Sequence, residues 1–191
     1  MTKNICVFCS SSDAVESIYK KQTIKLGEQI AQSNHKLLYG GANVGLMNLL
    51  FQTVKDNNGK AMGVIPQKIV DFGLACNEVD ELIITEDMHS RKAKLEQLAD
   101  AFIALPGGFG TLEELSEVIT LKQLGYFNKP IVILNIDHFY DKLIDFYEQL
   151  YELNFAKAAY KKLYFITDTV EDAMHHIESY EKKIFENKWY T

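Results

Sequence analysis

The chain predicts an α/β fold built on a doubly wound parallel sheet in three α/β/α layers, and three features carry that prediction. Short apolar runs alternate with amphipathic helical stretches along the chain. Several runs are continuously apolar, as strands are when a parallel sheet is covered on both faces. Four runs end in unusual turns rich in glycine and hydroxyls, "CSSSD", "YGGANVGLMN", "VIPQ" and "LPGGFGT". Ligands of open parallel sheets bind beyond the carboxyl ends of the strands, so these turns together outline a nucleotide-sized cleft.

Taken in order, Asn4–Cys9 reads as the first strand and Glu16–Gln32 as the helix that follows it. Lys36–Tyr39 and Gly45–Asp56 repeat the pattern around the turn Gly40–Val44. Ala61–Ile65 and Val79–Ile84 are two further strands, and helix His89–Ala99 leads into the buried strand Ala101–Leu105. Helical periodicity resumes over Leu112–Leu124, then strand Pro130–Asn135, helix Phe139–Leu153, strand Tyr164–Thr167 and helix Val170–Asn187 complete the chain. Strand–helix alternation implies right-handed crossovers. No linker, repeat or low-complexity stretch intervenes, and 191 residues suit one sizeable core, so residues 1–191 are expected to form one domain.

Composition narrows the function classes. The chain is 47% hydrophobic and 24% charged with a net charge of −6, and it has no Lys/Arg block. A nucleic-acid partner held by its phosphates is therefore not expected, although a local basic pocket for one small anion is compatible with this balance. The N-terminal apolar run is too short for a signal peptide and no segment is long enough to span a bilayer, which points to a cytoplasmic protein without a membrane partner. Cys6 and Cys9 form a C-x-x-C, but strand alternation sends them to opposite faces, so a structural role is expected rather than a redox or metal pair. Neither a metal site nor a cofactor is expected.

The segment "LPGGFGTLEEL", residues 105–115, is a strand-to-helix turn. Gly107, Gly108 and Gly110 allow the backbone to approach a ligand and to point several amides at one spot, where the helix dipole adds positive charge. Thr111 stands where an N-cap belongs, and Thr111-x-x-Glu114 also fits a capping box in which Glu114 satisfies a free amide. Glu113, Glu117 and Thr120 fall in one helical stripe that either lines a cleft or faces water. Gly40 and Gly41 open a second turn, which lacks the G-x-G-x-x-G spacing of a dinucleotide site. In "DMHSRKAKLEQL", Arg91 and Lys92 occupy the first helical turn, where the dipole disfavours cations. They serve an anion there, or they belong to a solvated basic face with Lys94 opposite Glu96. His89 is a cap or a ligand partner.

Two motifs carry a resemblance. "PGGFGTLEE" is similar to the P-G-G-x-G-T-x-x-E signature of the LOG ("lonely guy") family, and "MHSRK" to its M-H-x-R-K block. "CVFCSSS", "YGGANVGLM" and "GVIP" follow the family's order, so the resemblance covers most of the chain. It implies a Rossmann-like homodimer that hydrolyses the N-glycosidic bond of nucleoside 5′-monophosphates, such as AMP or an N6-modified cytokinin relative, to free base and ribose 5-phosphate. It implies catalytic roles for Arg91 and Glu114. Substrate contacts are implied for Lys92, for Gly107, Gly108, Phe109, Gly110 and Thr111 at the phosphate with Leu112 beside them, for Glu113 at the ribose, and for Thr120, Gly40, Gly41 and Ser11. Ser10, Ala42, Asn43, Asn48 and Leu121 depart from the family's usual residues, and a common acidic position falls at Gly73; these departures bear on the base rather than on the reaction. A non-catalytic nucleotide-binding or cofactor-carrier module is the competing function. A PLP-dependent decarboxylase has only an old family label behind it.

Overall fold

The computed structural model describes residues 1–182. Its sheet consists of β1 (Asn4–Phe8), β2 (Lys36–Tyr39), β3 (Lys60–Pro66), β4 (Glu81–Thr85), β5 (Ala101–Ala104), β6 (Ile131–Leu134) and β7 (Phe165–Thr167). The strand order is β4-β3-β2-β1-β5-β6-β7, and each neighbouring pair is parallel. The direction of winding reverses between β1 and β5, which makes their carboxyl ends the switch point. Helices α1 (Ser17–Gln32), α2 (Gly45–Asp56) and α7 (Val170–Glu178) cover one face. Helices α4 (Met88–Leu98), α5 (Phe109–Gln123) and α6 (Asp141–Glu152) cover the other. The three-layer prediction therefore holds.

Continuous apolar strands make sense in this arrangement. Along β1, Ile5 and Val7 enter the core under α1, α2 and α7, while Cys6 and Phe8 enter the core under α4 and α5. Cys9 follows Ile5 and Val7, so the two N-terminal cysteines do lie on opposite faces, both as buried free thiols. All four residues of β5 and of β6 are buried. At about 25 cal/mol per Å² of buried apolar surface, such two-sided strands are the main contributors to stability.

Element boundaries differ from expectation where side chains compete with local periodicity. Helix α5 starts at Phe109 instead of Leu112, because extended Gly108 is its N-cap. Thr111 is therefore a buried first-turn residue and not the cap, and no Thr111–Glu114 capping box exists. Helix α6 starts at Asp141 because the Asn135 side chain holds the preceding turn: its Oδ1 accepts from Tyr140 N–H at 2.7 Å and its Nδ2 donates to Asp141 at 2.8 Å. Strand β4 starts at Glu81 because Asp80 turns its carboxylate onto the Ala61 amide at 2.8 Å. Helix α7 stops at Glu178, and the predicted stretch 183–187 lies outside the described residues. A short helix, α3 (Gln67–Asp71), and two 3-10 turns, Ile136–His138 and Ala158–Lys162, had no periodic signal and escaped the sequence reading.

One glycine ties the first two crossover turns together. Gly45 has φ +57°, and a Cβ there would overlap the Ser11 backbone. The Leu46 amide uses the same close approach to donate to the Ser10 carbonyl at 3.0 Å. Gly45→Ala is expected to destabilise the protein by at least about 2 kcal/mol, since it combines positive φ with a backbone clash that no rotamer relieves. Urea unfolding at unchanged slope checks this; a loss below measurement error would mean that the turn can shift freely.

Candidate active site

The four turns marked in the sequence meet at the carboxyl end of the sheet. They enclose a cavity of about 540 Å³, within the usual range of roughly 300–1,000 Å³ for small-molecule sites. The β1 end contributes Cys9, Ser10, Ser11 and Ser12, the β2 end Gly40, Ala42 and Val44, and the β3 end Ile65 and Pro66. The β5–α5 turn contributes Gly108, Phe109, Gly110 and Thr111, and α4 with α5 supplies Met88, Arg91 and Glu114. Met47, Ile69 and Leu74 complete an apolar half opposite the charged one.

The α5 end of the cavity suits an anion. No side chain caps α5, so its first amides and its dipole face the cavity that Gly108–Thr111 lines. A Cβ at Gly108 or Gly110 would meet no protein atom, so the glycines leave open space along the cavity wall. Thr111 is buried with its hydroxyl beside Gly107, where a Cβ would displace it.

Arg91 and Glu114 form the charged wall. Arg91 is buried in α4; its Nε donates to the Val64 carbonyl at 3.1 Å and its Nη1 to Glu114 Oε1 at 2.7 Å. The side chains are 10% and 11% exposed, so water screens their attraction only weakly. Burial pushes the Glu114 carboxyl above the usual carboxylate range despite the opposing pull of Arg91. Gly40 faces Nη2 so closely that a Cβ would overlap it. This gives Gly40 a reason in the site: the guanidinium fills the space of its missing side chain.

The other expected site residues stand elsewhere. Lys92 is buried beside Arg91 but points away from the cavity, paired with Glu113 and, at 2.8 Å, with Glu117. Neither cation of the "SRK" segment is on a solvated face, while Lys94 reaches Gln97 at 3.2 Å. Thr120 is exposed and donates to the Ser116 carbonyl at 2.8 Å. Leu112 packs against the core, and Gly41 accepts from the Cys76 amide at 2.9 Å behind the cavity wall. His89 is exposed and is not the cap of α4; Asp87 is, in a capping box with Ser90. The sequence alone does not signal the apolar lining by Met47, Ile69, Leu74 and Met88, although Ile69 lies two residues after the "VIPQ" turn. Among the described residues, no group of three or more His, Cys, Asp or Glu could hold a metal ion, and no helix is long and apolar enough to cross a membrane.

Comparison with known proteins agrees with this geometry. The family model described as "Possible lysine decarboxylase" matches residues 47–177. A probable cytokinin riboside 5′-monophosphate phosphoribohydrolase of Oryza sativa subsp. japonica is 38% identical, covering 98% of this chain and 78% of its own length. A cytokinin riboside 5′-monophosphate phosphoribohydrolase of Arabidopsis thaliana is 39% identical over 93% of this chain and 83% of its own. Among solved structures, the molybdenum cofactor binding protein of Rippkaea orientalis has a TM-score of 0.70 and 27% identity, covering 94% of this chain and 98% of its own. With the glycine turns, the Arg91–Glu114 pair and 38–39% identity over nearly the whole chain in agreement, the chain belongs to the LOG family.

Proposed function

We propose that this protein hydrolyses the N-glycosidic bond of adenine-type nucleoside 5′-monophosphates, releasing free base and ribose 5-phosphate. The observation that carries the reading is the buried Arg91–Glu114 pair on the wall of a cavity closed at one end by an uncapped helix N-terminus. The relatives named as phosphoribohydrolases support the same reaction.

In this mechanism the 5′-phosphate binds at Gly107–Thr111, where amides and dipole favour a dianion. Its binding energy sets the sugar beside Glu114. As the C1′–N bond lengthens, positive charge grows on the ribose and negative charge on the base. The ionised Glu114 carboxylate stabilises the oxocarbenium-like sugar and takes a proton from the water that attacks C1′. Arg91 orients that carboxylate, and the departing nitrogen carries away the bonding electron pair and takes a proton from solvent, which balances the proton that Glu114 accepts from water and later returns. The base lies in the apolar half, toward Met47, Ile69 and Leu74. A carrier role, which the likeness to the molybdenum cofactor binding protein favours, predicts instead that a bound monophosphate is recovered intact. The continuous sheet supports reading residues 1–191 as one domain, and we assign the protein to the cytoplasm.

We also read the protein as a homodimer. Helix α6 has no fully buried side chain, and Phe146, Leu153 and Phe155 on and after it are 52%, 58% and 79% exposed. Leu124 and Tyr126 after α5 are exposed too. Apolar surface on this scale is a candidate for self-association.

Purified protein incubated with AMP and with N6-isopentenyl-AMP is expected to release base and ribose 5-phosphate; no base from any monophosphate would refute hydrolysis. Arg91→Ala and Glu114→Gln are each expected to lower turnover at least about 100-fold in folded protein. Full activity of Glu114→Gln would transfer the carboxylate role to Glu113. Because Glu114 works ionised and its pKa is raised, kcat/KM should fall as the pH drops, with a midpoint above the ordinary glutamate value of about 4.3. Light scattering at micromolar concentration should give twice the chain mass, and a monomer with full activity would dispose of the dimer.

A further inference from the structure

Two cations stand side by side in α4, yet only one serves the cavity. Arg91 lines it, whereas Lys92 points from the same helix into a cluster of carboxylates on α5. The Lys92 side chain is 11% exposed, while its partners Glu113 and Glu117 are 54% and 34% exposed. The buried member of the cluster is thus the cation, and its partners reach in from the surface. Between this cluster and the active-site pair lies a small void bounded by Lys92, Glu96, Glu114 and Glu117, with no room for a water molecule. Without water in between, the charge on Lys92 acts on Glu114 at low dielectric.

We propose that Lys92 is a positioning residue: with Glu113 and Glu117 it forms a second rung between α4 and α5, and across the dry gap it keeps Glu114 ionised. The Arg91–Glu114 pair is the first rung, one residue away on each helix. Four carboxylates crowd two cations here, so removing Lys92 leaves Glu114 among Glu96, Glu113 and Glu117 with Arg91 as the nearby counter-charge. Burial pulls the Lys92 ammonium down, and its two carboxylate partners more than reverse this, so it stays charged. Burial, then repulsion from Glu117, pushes Glu96 up to about 7. The remaining titratable groups that face the pair are Cys6 of β1 and Cys9 just after it, which burial holds as neutral thiols, and Lys129 opposes the rise at Glu96. Lys92 thus acts through Glu114 and does not touch the substrate.

The test titrates Glu114 directly, by carbon-13 NMR of the glutamate carboxyl groups, with its signal assigned through Glu114→Gln. Lys92→Met is expected to raise the Glu114 midpoint by at least about half a pH unit and Lys92→Arg to restore most of it, since arginine keeps the charge. Glu113→Gln, which removes a repelling carboxylate at an exposed position, should lower the midpoint; it carries the test if Lys92→Met does not fold. The kinetic counterpart rests on the proposed hydrolysis: the acid limb of kcat should move with the midpoint while KM changes less than about threefold. An unmoved Glu114 midpoint overturns the inference, as does a tenfold or greater rise in KM with the acid limb unchanged. If wild-type protein releases no base but the midpoint moves as expected, the hydrolase reading falls and the role of Lys92 stands.

Discussion

The ion pair between Arg91 and Glu114 is the constraint around which the candidate site is organised. An unpaired charge left at either position would cost several kcal/mol, so burial of the two is stable only as a pair with its other polar atoms satisfied. Arg91 meets that condition through Val64, whose carbonyl accepts Nε near the end of β3, while the missing side chain of Gly40 leaves room for Nη2. One guanidinium therefore holds together α4, α5 and the ends of β2 and β3. The carboxylate it orients is the group that faces the cavity with a raised proton affinity.

The sheet supplies the place for that pair. Winding reverses between β1 and β5, so the crossover turns diverge there and leave a crevice. The β5–α5 turn delivers an uncapped helix end to one side of the crevice, and the β1 turn delivers three serines beside it. Close backbone contacts hold these turns in register: Gly45 packs on Ser11, and Leu46 donates to Ser10. A phosphate-sized anion end, a charged middle and an apolar far wall follow in that order. Such a sequence of environments matches a nucleoside monophosphate from phosphate to base.

Charge in the second layer has its own logic. Lys92 and Arg91 occupy neighbouring positions and look equivalent in the chain, but successive residues of a helix point about 100° apart. One reaches over the end of the sheet and the other runs along α5. The carboxylates of α5 thus divide their work: Glu114 turns inward to Arg91, while Glu113 and Glu117 hold Lys92. The same geometry explains why Thr120, one turn beyond Glu117, meets only its own helix backbone.

Periodicity and composition by themselves determined the layered parallel sheet, the seven strands and the four turns that carry the site. Each of these is a local property: runs of Ile, Val and Leu signal two-sided burial, and clustered glycines signal turns that side chains would obstruct. The motifs around Arg91 and Glu114 were equally legible. What only the tertiary structure decided depends on contacts distant in sequence. Gly108 rather than Thr111 starts α5, and Glu114 turns to an arginine 23 residues away instead of capping its own helix. Lys92 leaves the cavity because two carboxylates from another helix meet it, and Ile69 of the short α3 and Leu74 just beyond it join the cavity wall only in the folded chain. A helical period states which residues share a face; what that face meets is fixed only when the layers pack.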